Sequence, residues 1–208
     1  MKVYGAKQSS SSRRVLLTAA HLGIPYELVE VDLRVPEQRA RLKLMNPNNK
    51  VPVLEDGDFR LWESHAIMLY LCDRTPGQTL FPGEPRARAE VNRWMFWTAM
   101  HLAQACGGLA FERIWRAYTI GGDADPAMVA RHEQLLHQLA KVADDHLATR
   151  TWFVGDAITL ADFSVASTLM YRRPAQLPLE PYRHLLDWLG RVHELEAWRA
   201  TEPPGTWA

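Results

Sequence analysis

Cysteine is scarce in this sequence. The chain holds two cysteines, Cys72 in a helix-like stretch and Cys106 among Ala and Gly, with no CxxC and no spacing that suits a metal. This argues against a disulfide framework or a cysteine-built metal centre and predicts free, reduced thiols in a cytoplasmic setting. Charge of one sign is also missing: 24 basic residues balance 24 acidic ones without a long run of either. The electrostatic footprint of a nucleic-acid partner is therefore absent, and a small or neutral partner is expected. No stretch of about 18 apolar residues is present to span a membrane. The motifs GxSxG, GxxxxGK[ST], GxGxxG and HExxH are all absent. His132-Glu133 and His137 resemble a zinc helix, but their five-residue separation puts the imidazoles on different faces, so no metal is expected.

What the chain does hold is apolar material, 47% of 208 residues, enough for a sizeable core. The stretch "KQSSSSRRVLL" places Ser9 to Ser12 before Arg13, Arg14 and an apolar run, and so admits a linker, an export signal or a catalytic loop. The run is broken by His21 and Pro25 and lacks a small-residue cleavage site, which argues against export. "KVYG" predicts a strand, residues 10 to 22 a helix closed by Gly23, and "YELVEVDL" a second strand with Val29, Val31 and Leu33 on one face. That is a βαβ unit, which removes the linker reading. After a charged, poorly periodic stretch from Arg34 to Leu44, "NPNNKVPVLEDGDFRLWES" predicts a hairpin around Asp56-Gly57. A helix with Ser64 in the cap position follows, giving the order βαβαββα.

"TPGQTLFPGEPR" carries linker chemistry, so the expected boundaries are a first domain over 1–76, a linker over 77–84 and a second domain over 85–208. Long helical patterns over Arg86 to Tyr118 and Pro126 to Leu147 predict that the second domain is all-α. Within it, Thr159 and Asp162 are set for a capping box, stapled by Ile158 and Phe163, that starts a buried helix.

Three features of the first domain suit one ligand. Val51-Pro52 is either the start of an edge strand or a cis turn that leaves Val51's amide and carbonyl free for a peptide-like ligand. Glu63-Ser64 offers a hydroxyl, an amide and a helix N-terminus to a carboxylate, or is a simple cap. Ser9 to Ser12 lie at another helix N-terminus, where a thiol ionises more readily. A hydroxyl, a backbone clamp and a carboxylate pocket together fit a γ-glutamyl tripeptide.

On "KVYG", "SSSSRRVLLTAAHLGIPYELVEVDL", "NPNNKVPVLEDGDFRLWESHAIMLYL" and "FVGDAITLADFSVAS", the chain resembles a cytosolic glutathione transferase over nearly its whole length. The resemblance implies a thioredoxin-like α/β domain, an all-α domain, glutathione as co-substrate and a homodimer with a detoxification role. It implies further that Val51-Pro52 is the family's Val with cis-Pro and that Glu63-Ser64 is its carboxylate-binding pair. The serine loop is similar to the serine-type phi, theta and zeta branches. Counting from Gly5 and back from Arg13 both give Ser9 as the catalytic serine, with Ser10 and Ser11 as alternates. Lys50 is implied as a further glutathione contact. So is Gln38, in the Glu37-Gln38 pair that replaces the His-Lys pair of phi members. The loop has no Cys of the kind bacterial beta members use.

The second substrate, a small hydrophobic electrophile, is expected between the first domain and the helix from Arg86, with Trp97, Met100, His101 and Gln104 as pocket candidates. The expected activity is conjugation, with peroxide reduction as a further one. Two rival readings remain: a zeta-like isomerase of a maleyl-type substrate, and a catalytically silent glutathione-fold binding protein.

Overall fold

The computed structural model describes residues 1–203. Strand β1 (Lys2–Gly5) leads into helix α1 (Ser10–His21), strand β2 (Glu27–Glu30), helix α2 (Pro36–Met45), the hairpin β3 (Val53–Asp56) and β4 (Phe59–Trp62), and helix α3 (Ser64–Asp73). The sheet order is β2-β1-β3-β4, with β1 parallel to β2 and antiparallel to β3. Gly57 turns the hairpin at φ 65°, a conformation that glycine adopts without strain. One sheet face is closed by Tyr4, Val31 and Val53 clustered with Leu42 of α2. Val3 and Leu54 alternate onto the opposite face and are fully buried.

Strand β2 is shorter than its alternation suggests. Leu33 was expected on the face of Val29 and Val31, yet it is 40% exposed. Asp32 ends the strand by accepting the Arg34 N–H at 2.9 Å and pairing with the Arg34 guanidinium. The expected cap of α3 moves as well. Glu63, at φ 73°, is the N-cap residue and makes no side-chain cap bond, so Ser64 is the first helical residue.

The second unit opens at Pro82. Helix α4 (Pro85–Trp97) passes through a π-helical turn (Thr98–Leu102) into α5 (Ala103–Ala110), a second π turn (Phe111–Trp115) and α6 (Arg116–Thr119). Helices α7 (Pro126–Leu147), α8 (Leu160–Leu169) and α9 (Arg183–His193) complete it. Glu84 caps α4 and Asp125 caps α7, each followed by a proline at the first helical position, where its missing N–H costs nothing.

The division between units falls five residues beyond the expected end at 76, since residues 77–81 pack with the first unit: Leu80 and Phe81 are buried there. Gln78 holds this turn by accepting from the Phe81 N–H and donating to its carbonyl. Helix α10 (Glu196–Ala200) and the residues to Pro203 also belong to the first unit rather than to the expected 85–208 domain, because Trp198 packs on Arg13 of α1. Residues 204–208 of that expected domain lie outside the described residues.

Helix α8 is buried at all ten positions, and its capping box is formed. Asp162 Oδ2 accepts from the Thr159 N–H and hydroxyl, while Oδ1 accepts from the Phe153 N–H and the Trp188 indole N–H, 2.8 Å away. Removing a buried carboxylate with four donors orphans all of them. Asp162→Ala should therefore cost about 3 to 5 kcal/mol in urea unfolding, and Asp162→Asn, which keeps an acceptor oxygen, clearly less.

Candidate functional site

The sheet register brings the first-unit candidates to one end. Gly5 at the end of β1 pairs with Glu30 at the end of β2, and Tyr4 pairs with Val53 at the start of β3, which pairs in turn with Trp62 at the end of β4. The segments that leave these ends carry Ser9, Gln38, Lys50, Val51-Pro52 and Glu63-Ser64. Two helix N-termini, those of α1 and α3, open at the same edge and direct unpaired N–H groups and positive dipole ends there.

Ser9 is the N-cap of α1, and its Oγ accepts from the Ser12 N–H at 3.3 Å. Its own hydroxyl proton is committed to no acceptor among the described residues. Ser10 and Ser11 are half-buried within the first turn. Ser12 is a different kind of residue. It is fully buried, accepts from the Ala6 N–H at 3.2 Å and lies so close to Gly5 that a Cβ there would meet its Oγ at 2.8 Å. Ser12 thus holds the loop in place and Ser9 is left at its rim.

The Val51–Pro52 peptide is cis, and Val51 lies outside β3, so its backbone enters no strand pairing. The preceding loop is clamped by Asn46, which is 3% exposed. Asn46 donates to the Lys50 carbonyl at 2.7 Å and accepts from the Asn48 N–H at 3.0 Å. This role was missed from the sequence, although Asn before Pro and two further Asn is the pattern of an Asx turn. Lys50 is exposed. Glu63 is exposed and Ser64 is 6% exposed. Gln38 is exposed, with Oε1 already accepting from the Asp32 N–H at 2.7 Å, so only its amide N–H groups remain for a ligand.

A second pair missed from the sequence is Arg14 with His65. Arg14 is 3% exposed and reaches His65 Nε2 at 2.8 Å, tying α1 to α3 just behind both helix starts. Since the guanidinium can only donate, Nε2 is the acceptor and the imidazole is neutral. Burial, helped by the Arg14 charge, holds the His65 pKa down at about 2.

The second-unit candidates straddle the first π turn. Trp97 is half-buried, packs edge-on against Trp94 with ring centres 5.1 Å apart, and lines a groove of about 320 Å³ with Arg93, Val142 and His146. Met100 is 61% exposed, His101 and Gln104 are exposed, and Gln104 donates to the Met100 carbonyl. The π turn widens the helical repeat across these positions, so the face expected from uniform spacing is re-phased between Trp97 and Gln104.

Comparison with known proteins decides the family. Residues 1–73 match the glutathione S-transferase N-terminal domain and residues 96–196 the glutathione S-transferase C-terminal domain. Glutathione S-transferase 4 of Zea mays is 34% identical over 90% of this chain and 85% of its own length. The chain belongs to the glutathione S-transferase family. Glutathione S-transferase GstB of Escherichia coli strain K12 is 30% identical over 95% of each chain. Among solved structures, glutathione S-transferase-I bound with lactoylglutathione matches with a TM-score of 0.83 and 26% identity, over 96% of this chain and 97% of that one. The transferase therefore uses glutathione as its co-substrate, on a thioredoxin-like sheet domain followed by a helical one. Among its described residues, no helix is long and apolar enough to cross a membrane, and no cluster suits a metal ion.

The Arg14–His65 contact has a pH signature. A base whose pKa is depressed on folding takes up a proton more readily when unfolded, so stability is retained above the unfolded value of 6.5 and lost as pH falls below it. The wild type should lose stability relative to His65→Asn by about 1.4 kcal/mol per unit as pH falls from 6 to 4, measured by denaturant unfolding at each pH.

Proposed function

We propose that Ser9 donates a hydrogen bond to the glutathione sulfur and that the transferase conjugates the resulting thiolate to small hydrophobic electrophiles. The observation that carries this is the uncommitted hydroxyl proton of an N-cap serine. Ser9 already satisfies the Ser12 amide as an acceptor, so its proton is available to a thiol at the positive end of α1. Ser9 is then a donor that lowers the thiol pKa, and the glutathione sulfur is the nucleophile. Lowering that pKa by about two units corresponds to roughly 2.7 kcal/mol, within reach of one good hydrogen bond and a helix terminus.

The rest of the tripeptide is assigned to the same edge. The Val51 amide and carbonyl pair with its backbone as an added strand, and the α3 N-terminus with Glu63 and Ser64 takes the γ-glutamyl end. Lys50 and the Gln38 amide face the glycine end. Trp97, Met100, His101 and Gln104 remain the proposed contacts to the electrophile, and peroxide reduction is a second outlet for the same thiolate. We assign the protein to the cytoplasm as a homodimer. Its two cysteines are buried and joined in no disulfide, and burial lifts the Cys106 thiol to about 12, which disfavours a nucleophilic role for it.

A maleyl-type isomerase needs cations for a dicarboxylate. Arg13 and Arg14, the two near the loop, are buried and turned to Trp198 and His65, which favours conjugation. A silent binding protein would have no use for a donor hydroxyl held at a helix start beside a peptide clamp.

Ultraviolet titration of bound glutathione should show the thiolate pKa rising by about one to two units in Ser9→Ala, with kcat for a chloroarene falling about 10- to 100-fold near neutral pH. Ser9→Thr should retain most of both, and Ser10→Ala and Ser11→Ala should stay near wild type. An unchanged thiolate pKa in Ser9→Ala would overturn the assignment. Turnover of a maleyl diacid above that of a chloroarene would favour the isomerase.

A further inference from the structure

Helix α10 comes from the far end of the chain, yet it packs in the first unit against α1. It buries Ala197, Trp198 and Thr201 to 8%, 3% and 1% exposure. The Thr201 hydroxyl donates to the Ala197 carbonyl at 2.8 Å and ends the helix.

Against it lies Arg13, 1% exposed. The Arg13 guanidinium sits 3.8 Å from the centre of the Trp198 ring, and Nη2 donates to the Trp198 carbonyl at 3.3 Å. Its Nε has no hydrogen-bond partner among the described residues. Burial pulls the guanidinium down to about 10, opposed by the charge of Glu202, the ionisable group that acts on it across this contact. A cation buried against one ring and one carbonyl is costly, and an apolar side chain would fill the same space at less expense. Arg13 is also one turn into α1, and its N–H donates to the Ser9 carbonyl at 2.8 Å. Where the Arg13 side chain is held therefore bears on the first turn of α1 and on the residue that caps it.

We propose that the segment Glu196–Pro203 is a strap whose Trp198 holds Arg13 and, through the first turn of α1, sets the Ser9 hydroxyl and the buried positive charge behind it for thiolate formation. Trp198 is then a positioning residue, and the inference rests on the assignment of Ser9 above. Its indole face supplies the cation–π contact that keeps the charge against α10, on the residue whose N–H closes the first turn of α1.

The experiment compares full-length Trp198→Ala, Trp198→Phe and Ser9→Ala by ultraviolet titration of bound glutathione, together with kcat and KM. Trp198→Ala should raise the thiolate pKa by about half to one unit and lower kcat below that pKa about three- to tenfold. The KM for glutathione should stay within about twofold, because the tripeptide clamp is untouched. Trp198→Phe, which keeps an aromatic face, should restore the wild-type pKa. A purely structural strap would lower the melting temperature and leave the thiolate pKa where it is, and that result overturns the proposal. Should Trp198→Ala not fold, Trp198→Leu against Trp198→Phe decides: a shift in Leu alone supports the strap, and equal values overturn it. If Ser9→Ala moves the pKa and Trp198→Ala does not, the strap alone falls. If Ser9→Ala leaves it unmoved, the Ser9 assignment falls and the strap with it.

Discussion

The site depends on the double pairing of β1. Because β1 runs parallel to β2 and antiparallel to β3, the ends of β1, β2 and β4 and the start of β3 share one edge of the sheet. Each chain segment that leaves or enters there must turn, and turning segments carry backbone groups that the ladder does not use. The chain places Ser9, the cis Val51–Pro52 peptide and the starts of α1 and α3 in that row. A one-residue slip of β1 against β3 would send Tyr4 and Val53 to the wrong face and move the Val51–Pro52 peptide off the helix starts.

Around that edge the structure uses buried polar side chains as fixings. Ser12 satisfies the Ala6 amide, Asn46 holds the Lys50 carbonyl, and Arg14 meets a neutral His65. Each satisfies a group that would otherwise be stranded without water, and each removes freedom from a loop that carries a proposed ligand contact. In the helical unit Asp162 does comparable work, gathering the start of α8, the Phe153 amide and the Trp188 indole on one carboxylate. That cluster stands within a run of stacked and edge-on rings linking Trp94, His146, Phe153 and Trp188.

Features governed by residues a few positions apart were legible in the sequence. The Asp56-Gly57 hairpin, the Thr159 box and the helix from Pro126 to Leu147 all follow from contacts within one turn or one hairpin. Leu33 was misplaced because alternation does not register that Asp32 turns back on Arg34. Ser64 was read as a cap because its hydroxyl suits one, whereas Glu63 adopts the left-handed conformation that starts α3. The π turns at Thr98–Leu102 and Phe111–Trp115 leave no mark in hydrophobic spacing, since they change the helical repeat without breaking the helix.

By itself the sequence determined the element types, the two-part architecture, the family and a short list of loop residues proposed to meet glutathione. These are written in local periodicity, turn chemistry and motif order, which need no knowledge of distant contacts. Tertiary structure decided the division of labour within the serine loop, with Ser12 buried against Gly5 and Ser9 left with a proton to give. It also returned α10 to the first unit, where Trp198 covers Arg13. Both outcomes turn on which side chain is enclosed by residues far away in the chain, and burial of that kind exists only once the sheet and helices have closed around it.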